Sequence, residues 1–226
     1  MSEFVLYATP GTCARVIMIA MEEAEIPFET RLVRIMRQEQ RSPEYLAVNP
    51  KGKVPVLLVD GQPLTEAPVI LHYLANRFPD AGLLPTDGVG GLRALEDMCF
   101  LSSQVHPFVT KLGFPQRFVD GEEAQRSVHA KAVEALVPSI SLIEGKLRAG
   151  GWWYGDTWSA LDGYASWIWS RIAPNGFPVD DFPACAQHAE RIAQRPGVQR
   201  AMAREGQLVA QLKAEGLPVG PPPAKR

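Results

Sequence analysis

The sequence predicts two structural parts, an α/β domain with the element order βαβ–ββα and, after it, an all-helical bundle. Apolar strand segments alternate with helical apolar spacing near the start of the chain. Strand signals stop after a stretch rich in Pro and Gly, and helical spacing then continues almost to the end. We therefore predict four consecutive regions: an α/β domain at 1–84, a linker at 85–91, a helical domain at 92–213 and a disordered tail at 214–226.

The first strand, helix and strand make up the βαβ part. Residues 4–7 are an apolar strand that ends at a Thr-Pro-Gly turn, and residues 28–33 alternate apolar and polar side chains. Between them the apolar spacing predicts an amphipathic helix, with Glu22, Glu23 and Glu25 on its solvent face. Because a strand–helix–strand connection is a right-handed crossover, we predict that the two strands pair in parallel.

The ββα part follows a short predicted helix that begins at Ser42, with the serine as N-cap and a proline in the first turn. Residues 54–59 form a predicted strand, and Asp60-Gly61 is a strong hairpin signal into the next strand. Pro68 then opens a helix that closes the domain.

Five segments with helical apolar spacing make up the predicted bundle. At the start of the third segment, Ser159 and Asp162 have the spacing of a capping box, which we interpret as structural. The segments are 92–112, 122–147, 159–172, 185–194 and 197–212.

Composition and charge exclude several classes of protein. With a net charge of −2 over 226 residues, the chain has no general attraction to nucleic acid or to an anionic membrane surface. No apolar run approaches the roughly 20 residues that a membrane-spanning helix needs. The 3 cysteines are widely spaced and form neither a disulfide framework nor a set of metal ligands. We therefore expect a cytoplasmic protein with no metal, no nucleic acid partner and no membrane.

Cys13 is the most informative residue for chemistry. It follows a strand and a Pro-Gly-Thr turn, so it is predicted in the first turn of a helix, where unpaired backbone N–H groups favour negative charge. We expect its thiol pKa to fall from about 8.5 into the range of roughly 3.5–7.5. Val16 stands where a Cys-x-x-Cys motif needs its second cysteine, so the thiol is a lone one. The alternative is that Cys13 is a small buried hydrophobe.

Two further turns offer backbone and charge to an extended ligand. If the Val54–Pro55 bond is cis, Val54 presents its N–H and C=O outward as an added strand would, and an ordinary trans turn is the alternative. At the next helix start, free N–H groups suit a carboxylate and Glu66 suits an ammonium group, which together match the α-amino acid end of a ligand. The alternative is that Thr65 and Glu66 only begin a helix.

The helical part contributes a histidine and apolar rings. His106 lies near the end of an apolar helix, where a cap or surface position is the alternative to catalysis. Phe108 and Phe114 are candidates to line a pocket for an apolar acceptor, whereas the tryptophans of this part are predicted to be core residues.

In their order and spacing, these motifs together resemble the glutathione S-transferase superfamily over nearly the whole chain. The bacterial beta class is the nearest resemblance, because its members place a cysteine after a Pro-Gly-x run and a histidine at the end of the fourth helix, as Cys13 and His106 are placed here. The segments that carry the resemblance are 7–13, 49–55, 64–66 and 155–162.

The resemblance implies a thioredoxin-like first domain that binds glutathione through three groups of residues. Cys13 contacts the glutathione sulfur, Val54 with Pro55 pairs with the cysteinyl backbone, and Glu66 with Ala67 holds the γ-glutamyl end. Many relatives have serine where this chain has Ala67, so one hydroxyl contact to the γ-glutamyl carboxylate is missing here.

The resemblance also implies roles for four further residues. Lys53 and Arg37 reach the glycine carboxylate of glutathione, and His106 lies near the sulfur and the second substrate. Thr12 competes with Cys13 as the group that stabilises the glutathione thiolate, because a hydroxyl residue does so in zeta-type relatives.

The activity implied by the resemblance is that of a glutathione transferase, a homodimeric cytoplasmic enzyme of detoxification. It would activate the glutathione thiolate for attack on a small hydrophobic electrophile, by conjugation, thiolytic cleavage or disulfide reduction. Two alternatives remain: an isomerase that uses glutathione as a cofactor, and a non-enzymatic binding protein built on the same fold.

Overall fold

The computed structural model describes residues 3–219 of the chain. Its strands in that range are β1 (Phe4–Ala8), β2 (Glu29–Leu32), β3 (Val56–Val59) and β4 (Gln62–Thr65), which form a sheet in the order β2-β1-β3-β4. The β1–β2 pair is parallel, whereas the β1–β3 and β3–β4 pairs are antiparallel. The predicted βαβ–ββα order is confirmed.

Helices account for most of the remaining described chain. None of them, within residues 3–219, is long and apolar enough to cross a bilayer. They are α1 (Ala14–Glu23), α2 (Pro43–Val48), α3 (Ala67–Arg77), α4 (Gly88–Cys99), α5 (His106–Gly113), α6 (Glu122–Gly150), α7 (Ala160–Ile172), α8 (Pro183–Ala193) and α9 (Pro196–Ala214).

The described residues divide into two compact units, one of residues 3–83 with 195–219 and the other of residues 84–194. The first contains the sheet, α1 to α3 and α9, and the second contains α4 to α8. The predicted helical domain continued to residue 213, whereas the structure groups α9 with the first unit because α9 packs on α1.

The predicted linker and the predicted tail each overlap a helix of the structure. α4 begins at Gly88, inside the predicted linker. α9 ends at Ala214, the first residue of the predicted tail, and residues 220–226 of that tail lie outside the described residues.

Helix α1 is buried on nearly every side, between the sheet, α3 and α9. Val16 and Ile17 are fully buried, as the apolar spacing predicted. The predicted solvent position of Glu22 is wrong, since only 8% of this residue is exposed. Arg200 and Arg204 of α9 pair with its carboxylate at 2.9 and 2.7 Å, and these cations allow the charge to be buried.

In the second unit, a π-helical segment, Phe100–Val105, interrupts the helix predicted at 92–112. α4 ends before it, and α5 begins after it at His106. Such a segment adds a residue to the helical turn, which redirects the side chains that follow, and it is frequent at functional sites. The hydrophobic spacing gave no sign of it.

The capping box at the start of α7 is confirmed. Asp162 is fully buried and accepts the backbone N–H of Ser159 at 2.8 Å. It also accepts the N–H of Trp153 at 2.7 Å, and Nε2 of the buried His188 lies 2.9 Å from its Oδ1. Asp162 therefore joins the start of α7 to the loop before it and to α8.

Replacing Asp162 by alanine is expected to lower the free energy of unfolding by about 3–5 kcal/mol, because buried donors lose their acceptor. Urea-induced unfolding followed by circular dichroism measures the change. Glu134→Ala is the control, since Glu134 makes an exposed ion pair with Lys131 within α6 and its loss should change stability little. Equal losses for the two variants would contradict the assignment.

Candidate functional site

The turn between β1 and α1 is held in place by its own threonines. Thr9 Oγ1 donates to the carbonyl of Val33 at 2.6 Å, and the carbonyl of Thr9 accepts the N–H of Thr12 at 3.2 Å. Gly11 has a φ of +78°, in the left-handed region that favours glycine. As a result, Cys13 becomes the N-cap residue of α1, at the helix start predicted from the sequence.

Cys13 faces the segment that precedes β3. Its Sγ donates to the carbonyl oxygen of Val54 at 4.0 Å. The Val54–Pro55 peptide bond is cis, and the β3–β4 ladder begins beyond it, with Val56 opposite Thr65. The backbone of Val54 therefore lies beside the thiol and outside the pairing of the sheet.

The thiol of Cys13 is held in its protonated form. Burial, aided by the nearby carboxylate of Glu66, raises its pKa to about 12, against the opposing effects of its own backbone N–H and the charge of Lys53. The expected depressed pKa for Cys13 is therefore wrong, because the loss of hydration outweighs the helix start. At neutral pH, Cys13 is a hydrogen-bond donor rather than a thiolate nucleophile.

The hydroxyl of Thr12 is engaged within the turn. Its Oγ1 lies 2.7 Å from the carbonyl oxygen of Thr9 and accepts the N–H of Ala14 at 3.4 Å. Because a carbonyl can only accept, the single hydroxyl proton of Thr12 is directed at Thr9. Of the two residues predicted to stabilise a thiolate, Cys13 has the weaker existing contact, through a sulfur 4.0 Å from its acceptor.

A second group of polar side chains lies at the start of α3. Lys51 Nζ is 2.6 Å from Glu66 Oε1 and 2.9 Å from Thr65 Oγ1. Glu66 has a φ of +71°, a strained conformation for a residue other than glycine and one that clusters at functional sites. Ala67 is the buried first residue of α3. The side chains of Lys51 and Glu66 are 50% and 60% exposed, so their charges are accessible to a ligand.

The turn that carries Lys53 is tied down through its backbone. The carbonyl of Lys53 accepts from Tyr45 Oη at 2.6 Å and from Asn49 Nδ2 at 2.7 Å, while its side chain is exposed. Lys51 belongs to the same turn and was not among the predicted site residues. Its contact with Glu66 depends on how the β3–β4 hairpin folds back, which sequence spacing does not reveal.

Arg37 lies in a short helical turn, Ile35–Arg37, and its guanidinium pairs with Glu215 at 3.2 Å. Arg34 pairs with the same carboxylate at 2.6 Å, and its hydrogen bonds hold the pKa of Glu215 below its usual range. The contact of Arg37 with a ligand carboxylate remains a prediction.

In the second unit, His106 is held in one orientation by two side chains of α7. Its Nδ1 lies 3.1 Å from Tyr164 Oη, and its ring packs edge-on against Trp167 with ring centroids 4.5 Å apart. His106 is half-buried and begins α5 directly after the π-helical segment. Its contacts are those of an oriented side chain rather than of a helix cap.

Phe108 and Phe114, also in the second unit, have cations over their rings. Lys111 Nζ lies 4.6 Å from the centroid of Phe108. The guanidinium groups of Arg117 and Arg171 lie 4.6 and 5.6 Å from the centroid of Phe114. Such cation–π contacts make the surroundings of the two rings less apolar than the predicted acceptor pocket.

The three cysteines are free thiols in three different settings. Cys13 is half-buried, Cys99 is exposed and Cys185 is buried. Burial and the neighbouring Glu144 raise the pKa of Cys185. Across residues 3–219, no three His, Cys, Asp or Glu side chains are grouped so as to hold a metal ion.

Glu205 of α9, which was not among the predicted site residues, reaches the turn before Cys13. It accepts the N–H of Gly11 at 2.8 Å and pairs with Arg15 at 2.7 Å. No local pattern links residues 194 positions apart. The available signal was a glutamate within the apolar stripe of a helix. The buried apolar residues of that stripe are Val198, Ala201, Leu208 and Leu212.

Comparison with protein families gives a match to the glutathione S-transferase N-terminal domain over residues 11–77. Among curated proteins, the chain is similar to glutathione S-transferase GstA of Escherichia coli O157:H7, with 29% identity over 89% of this chain and 98% of that one. It is also similar to a maleylacetoacetate isomerase of Pseudomonas aeruginosa, with 27% identity over 82% of this chain and 88% of that one.

Two solved structures of glutathione S-transferases are 32% identical to the chain. A bacterial beta class glutathione S-transferase of Sphingomonas chungbukensis is 32% identical, with a TM-score of 0.78 over 89% of this chain and 98% of that one. A sphingomonad glutathione S-transferase complexed with glutathione is also 32% identical, with a TM-score of 0.77 and the same coverage.

The raised pKa predicts slow alkylation of Cys13. In a Cys99→Ser variant, the reaction of Cys13 with iodoacetamide should be much slower than that of free glutathione at neutral pH, and should accelerate about tenfold per pH unit from about pH 7 to 10. Peptide mass spectrometry locates and times the modification. A rate that levels off below about pH 9 would mean that the thiolate is stabilised after all.

Proposed function

The chain belongs to the glutathione S-transferase superfamily, and on that premise we propose that it is an enzyme that binds glutathione on its first unit and activates the thiol for attack on a small hydrophobic electrophile. The observation that carries this proposal is the protonated Cys13 thiol at the start of α1, facing the carbonyl of Val54. A donor and an extended backbone segment thus lie side by side, as a cysteine-containing peptide ligand requires.

Glutathione would bind along three features of the first unit. Val54, beside Pro55, pairs with the cysteinyl backbone, and Glu66 with the start of α3 at Ala67 holds the γ-glutamyl end. Lys51, which already contacts Glu66, lies close to that end of the ligand. Lys53 and Arg37 bind the glycine carboxylate. For Arg37, this requires that its guanidinium also keep or partly give up its ion pair with Glu215. These contacts are supported by the placement of charge and backbone in the first unit.

Cys13 acts in this proposal as a donor that keeps its own proton. When glutathione binds, the Cys13 S–H turns from the Val54 carbonyl to the glutathione sulfur. This hydrogen bond favours the thiolate over the thiol, and the displaced glutathione proton goes to solvent. Lowering the glutathione pKa from about 8.5 to about 7 raises the reactive fraction at neutral pH roughly tenfold. The sulfur lone pair then forms the bond to the electrophilic atom, and the leaving group departs with its bonding electrons.

Conjugation and thiolytic cleavage fit this role of Cys13 better than disulfide reduction through Cys13 itself. A mixed disulfide on Cys13 requires its thiolate, which a pKa of about 12 makes scarce at neutral pH. In the second unit, His106 is the proposed contact to the electrophile, with Phe108 and Phe114 as candidates for the acceptor pocket.

A glutathione-dependent isomerase is the second candidate, favoured by the similarity to a maleylacetoacetate isomerase over 82% of the chain. In that reaction, glutathione adds to the substrate and leaves again unchanged. Turnover of a maleyl substrate with no loss of free glutathione distinguishes it from conjugation.

We also infer a homodimer in the cytoplasm that takes part in detoxification. α4 exposes three apolar side chains, Val89, Leu92 and Leu95, at three-residue spacing, with 69%, 67% and 41% of their surfaces accessible. A partner subunit would remove this apolar stripe from water. The free state of all three cysteines is in keeping with a reducing compartment.

Cys13→Ala is expected to lower kcat/KM for chlorodinitrobenzene at neutral pH about tenfold, because the sulfur loses its donor. Cys13→Ser keeps a donor and should stay within about threefold of the wild type. Thr12→Val is the matched comparison, with a smaller loss than C13A because the Thr12 proton is already directed at Thr9. A larger loss in T12V than in C13A would assign the role to Thr12.

Leu92→Glu is expected to weaken dimerisation by tenfold or more, because it introduces a charge into the apolar stripe of α4. Size-exclusion chromatography with light scattering measures the mass across a dilution series. Leu142→Glu is the control, since Leu142 is 63% exposed on α6 rather than on α4. A monomeric wild type at micromolar concentration would overturn the inference.

A further inference from the structure

The ammonium group of Lys51 lies where the ammonium group of a ligand would have to bind. Its Nζ is 2.6 Å from Glu66 Oε1 and donates to Thr65 Oγ1 at 2.9 Å. Glu66 is the residue that the proposed function assigns to the γ-glutamyl end of glutathione. A lysine of the protein itself therefore holds the carboxylate that the ligand has to reach.

The turn that carries Lys51 has a fixed backbone. The N–H of Lys51 donates to Oδ1 of Asn49 at 3.1 Å, and Asn49 is buried. Gly52 has a φ of +60°, and a Cβ at this position would lie 2.9 Å from the carbonyl oxygen of Gln40. Because only glycine fits this backbone and this space, the base of the Lys51 side chain stays beside the start of α3.

The ion pair between Lys51 and Glu66 can open easily. Both side chains are at least half exposed, so water screens their attraction and replaces the contact when the two separate. The hydrogen bond from Lys51 to Thr65 is exposed as well. The long lysine side chain can therefore exchange the Glu66 carboxylate for another carboxylate within its reach.

The start of α3 has few donors for the α-carboxylate of a ligand. Backbone N–H groups in the first turn of a helix are the usual donors for an anion. Pro68, the second residue of α3, has no N–H, and Ala67 has no donor in its side chain. The N–H of Ile70 already donates to the carbonyl of Glu66 at 3.0 Å. A carboxylate bound there can accept a further donor, and the Lys51 ammonium group is close by.

This end of the site is near the segment that pairs with the cysteinyl backbone. Thr65 lies opposite Val56 in the β3–β4 ladder, directly after the cis-proline. The Glu66 carboxylate is also near enough to Cys13 to help raise the pKa of its thiol. A γ-glutamyl group attached to the cysteinyl residue of glutathione would therefore extend from the Cys13 side towards Lys51.

We propose that Lys51 is a specificity-determining residue that changes its partner when glutathione binds. The α-ammonium group of the ligand takes the Glu66 carboxylate, and the Lys51 ammonium group turns to the α-carboxylate of the same γ-glutamyl group. The site thereby selects a free α-amino acid end that has both charges, and Lys51 supplies a contact that Ala67 lacks. This inference rests on the proposed function, because it takes Glu66 as the residue that binds the γ-glutamyl end.

The test compares two tripeptides that differ in one carboxylate. One is glutathione, and the other is 4-aminobutanoyl-cysteinyl-glycine, which keeps the terminal ammonium group and lacks the α-carboxylate. Calorimetry gives the dissociation constants, directly for glutathione and by competition against glutathione for the analogue. The ratio of the two constants measures how strongly each protein variant selects the α-carboxylate.

Lys51→Met is expected to weaken the binding of glutathione about tenfold, because the α-carboxylate loses its cation. The same variant should bind the analogue as well as the wild type does, or up to about threefold more tightly, because Lys51 no longer competes for Glu66. Adding Ala67→Ser to this variant should restore about threefold of the affinity for glutathione and nothing for the analogue, because the new hydroxyl is a donor for the α-carboxylate.

Two matched lysine variants are the controls. Lys131→Met removes an exposed lysine that also has a carboxylate partner, Glu134 of α6, and both affinities should stay unchanged. Lys53→Met removes the lysine assigned to the glycine carboxylate, which both tripeptides have, so both affinities should fall by the same factor. A loss for glutathione alone in K53M would transfer the proposed role from Lys51 to Lys53.

An equal loss for both tripeptides in K51M would mean that Lys51 only adds positive charge, and it would overturn the inference. Unchanged binding of glutathione in K51M would overturn it as well, and so would a K51M/A67S variant no better than K51M. A wild type that binds neither tripeptide would overturn the proposed function and this inference together. A wild type that binds glutathione, with a K51M variant that does not lose its selectivity, overturns this inference alone.

Discussion

The contact between Cys13 Sγ and the carbonyl of Val54 joins the two turns on which the proposed glutathione site depends. One turn ends β1 and begins α1, and the other leads through a cis peptide bond into β3. Burial keeps a proton on the sulfur, so the contact is a hydrogen bond from a neutral thiol. A donor that does not itself ionise can stabilise the anion of a second sulfur placed beside it.

Contacts with a distant part of the chain hold helix α1 in place, and with it the contact between Cys13 and Val54. Its start is tied to α9 through Glu205, and its end is tied to the same helix through Glu22. These pairs are buried, so their geometry matters more than that of the exposed pairs on α4 and α6. α9 thus completes a unit that begins with β1.

Local rules predicted the elements well, because each depends on a few neighbouring residues. Ser42 caps α2 by accepting the N–H of Tyr45, and Ser159 with Asp162 forms the predicted capping box. Both motifs act within four residues of the chain, so the sequence contains all the information they need.

The failures of sequence reasoning lie where distant segments meet. The pKa of Cys13 depends on how completely the fold dehydrates its sulfur, and helix position alone indicated the opposite direction. Glu22 was predicted to face solvent because its arginine partners are 178 and 182 positions away. Lys51 and Glu205 were not predicted as site residues for the same reason, since hairpin folding and helix packing bring them to the site.

A crystal structure of the protein with reduced glutathione tests the central claim most directly. We predict that the glutathione sulfur lies within hydrogen-bond distance of Cys13 Sγ, with no covalent bond between them, and that the cysteinyl backbone pairs with Val54. A glutathione sulfur that is hydrogen-bonded to Thr12 Oγ1 instead, or that lies remote from the start of α1, would contradict the proposed role of Cys13.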